Sequence, residues 1–484
     1  MEDTTHLFTF NELKEYSAGT WKNISDNTNK TVRHITTDTR SDCSNSLFLA
    51  LRGVNFDAHD FLDNAVNSGA TALCLEKGRY DTDSLPDNLP ILEVNNTLKA
   101  YQDIAKNYRA TLNDLTLIAV TGSNGKTSTK EILKGILSQE FGEDAVYATR
   151  ANTNNQIGTP LNILNINPRH KYAVIELGTN HPGELDVIAS IAMPDIAIIT
   201  SIASSHLEFF INLHGVAEEK SNILNHFHKS KRENLVVLPS NILKYKPIRD
   251  KLNNIRYMTY NNTDSPSDIT YNYISTDLET TSYSLSWHDC FDDNLVRWSI
   301  PGKHQIANAA AAATAASFLG IQNKDVCRHL TKCKLSGMRM KINRINNTHW
   351  INDAYNANPD STKAGLEYIS DILVTGKFKT SYIILGDMLE LGENAVKSHY
   401  ETIRYAQYLH PDAIIILIGD FMKKAFSQIK FEASDKTEII HLANIEEASE
   451  YLISNIGEND MVYLKGSRGM KLESIEKYYL ENSE

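Results

Sequence analysis

Residues 115–137 read LTLIAVTGSNGKTSTKEILKGIL: an apolar run, a short turn with two glycines and a segment of different periodicity, in direct succession. LTLIAV has the composition of a buried strand. Past the turn, Ile132, Leu133, Ile136 and Leu137 fall at i, i+1, i+4 and i+5, one face of an amphipathic helix. A strand that feeds a helix through so few residues belongs to α/β folds, where helices cross back over a mostly parallel sheet. The turn itself suits phosphate. Gly122, Ser123, Asn124 and Gly125 can fold tightly because glycine tolerates backbone conformations other residues avoid, and their N–H groups then point inward. The helix start adds the positive end of its dipole. Lys126 would place a point charge at the β and γ phosphates, and the Thr127 hydroxyl would ligate Mg²⁺. The spacing is shorter than the common G-x-x-x-x-G-K-[ST], with Val120 standing where the first glycine would be. The competing reading is an Asn-Gly turn beside a solvated lysine, and the flanking strand and helix weigh against it.

The rest of the chain repeats this alternation in three zones. Residues 30–95 carry short apolar segments (SLFLAL, ATALCLE) and close on the turn-rich DTDSLPDNLP, a small α/β domain. A second zone opens with the helix-like TLKAYQDIAKNYRATL, continues through the strand candidates YAVIEL, DIAIIT and NLVVLP, and reaches an alternating stretch at 268–300 that reads as an antiparallel appendage. The alanine-rich HQIANAAAAATAASFLG follows as a strong helix ending at Gly320. In the third zone WINDAY, SYIILGD, AIIILIGD, TEIIHL and MVYLKG each precede a helix-like segment, which predicts a Rossmann-like doubly wound domain lacking a G-x-G-x-x-G fingerprint. The predicted divisions are 1–95, 96–333 and 334–484.

Composition narrows the setting. A chain of 484 residues suits about three domains of roughly 150 residues. A formal charge of −12 argues against nucleic acid or anionic membrane as partners, so an anionic ligand must meet local cations. The start MEDTTHLFTF does not suit a signal peptide, and no apolar run approaches the ~18 residues of a membrane span. Five cysteines (Cys43, Cys74, Cys290, Cys327, Cys333) without C-x-x-C spacing argue against a disulfide scaffold or zinc site. The expected location is the cytoplasm.

TGSNGKTS resembles the phosphate loop of the Mur ligases and folylpolyglutamate synthetases, whose loop has this shorter spacing. TTDTR (36–40), FLALRGVNFDAHDF (48–61), NTNNQIGTP (152–160), IELGTNHPGE (175–184), SSHLE (204–208), GKHQIANAAAA (302–312), NDAYNANPDS (352–361), GDMLELGE (386–393) and KGSRGM (465–470) follow in the order of Mur ligases that add a dipeptide. The resemblance implies an ATP-dependent amide ligase of peptidoglycan precursor synthesis. It would join D-alanyl-D-alanine to UDP-N-acetylmuramoyl-tripeptide through an acyl phosphate, with a UDP-sugar-binding N-terminal domain, a central ATP-binding domain and closure of the domains around three substrates. ATP and two Mg²⁺ ions are the implied cofactors, and a monomer is expected.

Some of these residues can also be read physically. Glu176 ends the strand YAVIEL, where open α/β sheets place ligands, and would share a Mg²⁺ with Thr127; the alternative is a strand-end ion pair. His206 and Lys220 are weak by themselves, a lone histidine and a lysine among glutamates. The resemblance alone implies that Lys220 is carbamylated and that His206 helps hold the second metal beside it. It likewise implies contacts of Asn308 with adenine, Asp353 with ribose and Arg339 with the phosphates, so that Lys126, Lys220, His206 and Arg339 form the catalytic set. His304-Gln305 departs from the family's frequent His-Asn. Thr39, Arg40 and His59 are implied for uridine diphosphate, although FDAHDF would also hold a loop by packing Phe56 on Phe61. Asn154 and Asn155 are candidates for sugar or peptide, and Lys465, Arg468 and Asn358 for a carboxylate. The rivals are a Mur ligase adding diaminopimelate or lysine, whose DNPR-type motif is absent, a folylpolyglutamate synthetase, which would lack the N-terminal zone, and a non-catalytic nucleotide-binding regulator.

Overall fold

In the computed structural model, residues 6–24, 30–53, 56–81, 85–229, 233–288, 290–335, 340–374, 377–429 and 437–482 are described. They form three main sheets in chain order, with helices packed on them.

The N-terminal sheet has the order Thr20–Lys22, Ile91–Val94, Ala72–Glu76, Ser46–Leu49, His34–Thr36, parallel except for the first pair. Its core is not sealed off. Phe8, Trp21, Leu47 and Leu92 pack in one continuous cluster with Tyr101, Ile104 and Tyr108 of the helix Thr97–Thr111, which also lies on the central sheet. Asn96 caps that helix through Lys99 N (2.8 Å). At its other end the buried Arg109 reaches Asp195 Oδ2 (2.9 Å) and the carbonyls of Ala192 and Met193 (3.0 Å each). Asp195 also accepts from Leu117 N (2.8 Å), so one ion pair ties the helix to two central strands.

The central sheet has nine strands in the order Cys290–Trp298, Thr281–Trp287, Ile269–Thr276, Arg256–Asn262, Leu235–Pro239, Ile196–Ile199, Thr116–Thr121, Tyr172–Glu176, Val146–Ala148. The stretch 268–300 is antiparallel within itself, but it is no appendage. Ile269–Thr276 pairs parallel with Arg256–Asn262 and so extends the same sheet. Its alternating Tyr283, Leu285 and Trp298 bury one face against the alanine-rich helix His304–Phe318. That helix packs along the helix Lys126–Phe141 through Ala309–Ala313, with Ile132, Leu133, Ile136 and Leu137 in the same core. It stops as expected: Gly320 takes φ 89° and donates to Ser317 O, while Ile321 N bonds Ala316 O, a Schellman ending.

The C-terminal sheet runs Lys341–Ile345, Thr348–Asn352, Met461–Lys465, Ser381–Gly386, Ile414–Ile418, Glu438–Leu442, parallel beyond its first hairpin. No helix among the described residues is long and apolar enough to cross a membrane.

Candidate active site

The strand Thr116–Thr121 lies between Tyr172–Glu176 and Ile196–Ile199; from it the chain crosses to Val146–Ala148 on one side, whereas from Ile196–Ile199 it moves to Leu235–Pro239 on the other. That is the switch point where open α/β sheets bind ligands. Three strand ends meet there: the loop 122–125, Glu176 and Thr200. Gly122 has φ 144°, and a Cβ on it would collide with Thr200 Oγ1; Gly125 has φ 85°, and its Cβ would strike Asn308 Oδ1. The loop is braced from the side. Thr200 and Ser201 hydroxyls donate to Asn124 O (2.5 and 3.1 Å), and Asn124 N donates to Ser201 Oγ (2.9 Å). Ser123 exchanges side-chain bonds with Ala203 (3.1 and 3.0 Å). Lys126 folds back over the turn, its Nζ donating to Gly122 O (2.8 Å) and Ser123 O (3.3 Å).

Thr127 Oγ1 donates to Glu176 Oε2 at 2.6 Å, and Asn154 Nδ2 donates to Glu176 Oε1 at 2.8 Å. A buried carboxylate beside a hydroxyl is a hard-oxygen pair that fits Mg²⁺, which takes one or two carboxylates and completes its shell with water and phosphate oxygens. Among the described residues no group of three or more His, Cys, Asp or Glu side chains is gathered as a metal cluster. An ion here would draw on Thr127, Glu176 and ligand oxygens.

Behind this corner, Lys220 is buried on the helix Leu213–Ser221. Burial, and then the charge of Lys126, pull its amine down to about 7, against the opposite pull of Glu219 and Glu184. Glu219 is itself fixed, accepting from Thr179 Oγ1 (3.0 Å), Gly183 N and Leu185 N (both 2.8 Å). It therefore caps the helix Glu184–Ala192 and locks the backbone that carries Lys220. His206 has φ 52°, and its Nδ1 lies 2.5 Å from Glu390 Oε2 of the C-terminal sheet's loops.

The C-terminal sheet supplies the opposite wall of a cleft of about 620 Å³. Lys465 Nζ pairs with Asp353 Oδ2 at 2.7 Å and donates to Asn356 O at 2.9 Å. Asn358 caps the helix Pro359–Leu373 and exchanges amide bonds with Asn124 of the phosphate loop (2.8 and 3.3 Å). Tyr355 bonds Asn152, and Ser204 N donates to Asp360 Oδ2 (3.0 Å).

Of the residues expected from sequence, Ser123, Asn124, Gly125, Lys126, Thr127, Asn154, Asn155, Glu176, His206, Asn308, Asp353, Asn358 and Lys465 all line this cleft. Asn308 is held by Gln305 Oε1 (2.8 Å), so the unusual His304-Gln305 pair supports it. Asn155 Oδ1 is occupied in capping the helix Gly158–Leu164, accepting from Gly158 N (2.9 Å). Others lie elsewhere. Thr39 and Arg40 sit on the N-terminal domain, where the Arg40 guanidinium forks onto Asp38 (2.8 and 2.7 Å) and holds that carboxyl down to about 2. His59 is committed to protein: Glu76 N donates to Nε2 (3.0 Å), which leaves the proton on Nδ1, 2.6 Å from Asp57 Oδ1. Phe56 and Phe61 do stack, at 5.0 Å. Arg468 is exposed and pairs with Glu473 at 2.9 Å. Arg339 lies outside the described residues. Sequence reading missed Thr200 and Ser201, although the end of a strand next to the loop strand was signal enough, and it missed Tyr355, Asp360 and Glu390, whose role depends on how two sheets face each other.

Fold and cleft define a class: a phosphate-loop protein whose nucleotide site is closed by a second α/β unit. The description "Mur ligase middle domain" matches residues 120–316, and "Mur ligase, glutamate ligase domain" matches 338–468. The chain is 31% identical to the UDP-N-acetylmuramoyl-tripeptide--D-alanyl-D-alanine ligase of Bacillus subtilis over 94% of each chain, and 33% identical to that of Rickettsia prowazekii over 90% and 92%. A crystal structure of MurF from Acinetobacter baumannii superposes with a TM-score of 0.86 at 28% identity, covering 99% of this chain and all of that one. The chain belongs to the Mur ligase family, whose members are ATP-dependent ligases.

Proposed function

We propose that this chain joins D-alanyl-D-alanine to UDP-N-acetylmuramoyl-tripeptide at the expense of ATP. The observation that carries the reading is the Thr127–Glu176 pair at the foot of a phosphate loop, faced across one cleft by Asp353 and Lys465. Lys126, released from its own loop carbonyls, would meet the γ-phosphate while the tripeptide's terminal carboxylate attacks it. That yields an acyl phosphate and ADP. The amine of the dipeptide then attacks the activated carbonyl, and phosphate leaves. Thr127 and Glu176 would hold one Mg²⁺ and His206 with a carbamylated Lys220 a second, which when bound would supply positive charge against the phosphoryl oxygens.

The carbamate has a physical basis in this chain. Only a neutral amine adds to CO₂, forming an N–C bond and releasing a proton. With its pKa near 7, about half of Lys220 is neutral at that pH. Asn308 would contact adenine, Asp353 the ribose, and Arg339 the phosphates. Lys465 and Asn358, with Arg468, would serve the dipeptide carboxylate, and Thr39, Arg40 and His59 the uridine end, with Asn154 and Asn155 between. The divisions 1–95, 96–333 and 334–484, a monomer and work in the cytoplasm belong to the same proposal.

Phosphate release with ATP, Mg²⁺ and the UDP-tripeptide tests it. Release is expected to depend on D-alanyl-D-alanine and to fail with single amino acids or glutamate; release indifferent to the dipeptide would sink the assignment.

A further inference from the structure

The pairing of His206 with Glu390 deepens the reading above and rests on its placement of His206 beside the second metal. Glu390 follows the strand Ser381–Gly386 in a loop tied down along its length. Asp387 accepts from Phe421 N (3.1 Å) and Met422 N (2.8 Å), Met388 N donates to His399 Nε2 (2.8 Å), and Leu389 N donates to Ser467 Oγ (2.9 Å). The loop presses on the short helix Leu207–Phe210: Glu390 O accepts from Glu208 N (3.4 Å), and a Cβ on Gly392 would stand 3.2 Å from Glu208 Cα. Both His206 and Glu390 sit at positive φ, 52° and 62°. Non-glycine residues hold such conformations only where the surroundings over-determine them.

An imidazole has two nitrogens. With Nδ1 2.5 Å from the Glu390 carboxylate, Nε2 is left as the basic nitrogen of a ring that lines the cleft. Histidines that bind metals usually donate their second N–H to a carboxylate, which fixes the ring and raises its basicity.

We propose that Glu390 is a positioning residue that holds His206 with Nε2 toward the second metal position. Because Glu390 arrives on the C-terminal sheet, that position is complete only when the two sheets meet.

The test counts bound Mn²⁺ by electron paramagnetic resonance in the presence of saturating ADP, without turnover. Glu390→Ala is expected to weaken the second ion about 10- to 100-fold and leave the first unchanged. Glu390→Gln keeps an acceptor of the same shape, is expected to lose less, and carries the test should the alanine variant not fold. Asp360→Ala removes another contact between the same two sheets and is expected to leave the second ion in place. An unchanged second ion in Glu390→Ala, or equal weakening in Asp360→Ala, overturns the proposal. His206→Ala separates the layers: if it loses the second ion while Glu390→Ala does not, only the positioning role fails, and if it keeps that ion, the metal assignment beneath it fails.

Discussion

A lysine buried as completely as Lys220 is expensive to keep charged, and that expense has a testable sign. Its folded pKa, about 7, lies below the ordinary 10.5, so between these values the unfolded chain binds the proton that the folded one gives up. Stability contributed by this site is lowest below about pH 7 and recovers as pH rises toward 10.5. Lys220→Met in CO₂-free buffer is therefore expected to raise the thermal midpoint most at acid pH, with the gain fading above neutrality; a gain that grows with pH would refute this account. Lys220→Ala is expected to lose most ligase activity and to regain part of it with a short carboxylate in solution, read by phosphate release. Neither property was visible in GVAEEKSNIL, where a lysine among glutamates looks like a solvated helix face. Its burial comes from packing against Phe210, whose ring centroid lies 5.9 Å from Nζ, and from Glu219 turning inward to cap another helix. Lys126, Thr127 and Glu176 were legible because their chemistry depends on adjacent residues and on a strand end.

The same contrast holds for elements. Gly125 is needed both for its φ of 85° and for the room that Asn308 occupies, so Gly125→Ala adds backbone strain to a collision. The expected cost is about 1–3 kcal/mol of stability, together with weakened ATP binding, measurable by thermal unfolding and nucleotide titration. Arg109→Leu would leave Asp195 buried beside two strands without its guanidinium and is expected to cost about 3–5 kcal/mol, while adding Asp195→Asn should return part of it. The strands with long apolar runs and the alanine-rich helix could be read directly, since their burial is written in composition. Val146–Ala148 and Arg256–Asn262 could not. The first is three residues long, and the second, RYMTYNN, is half exposed and polar enough to pass for a loop, so the antiparallel strands beyond it looked detached from a sheet they extend.

On the scale of the whole molecule, the two walls of the cleft are joined where Asn124 meets Asn358, Asn152 meets Tyr355, Ser204 meets Asp360 and His206 meets Glu390. Entry of the proposed substrates would need that wall to withdraw, and closure would then complete the site. X-ray scattering is expected to show a smaller radius of gyration with all ligands than without; identical curves would contradict closure. That arrangement was beyond the sequence, which specifies each face but not which faces meet. The position of the phosphate-loop strand has another cost, paid during manufacture. Thr116–Thr121 is flanked by Tyr172–Glu176 and Ile196–Ile199, both synthesised after it. At the ribosome's pace of about 5–20 residues per second, the farther neighbour arrives roughly 4 to 16 seconds later. Until both have been made, the apolar strand that carries the phosphate loop has at least one edge without its partner, an opening for a chaperone before the loop has a finished sheet behind it.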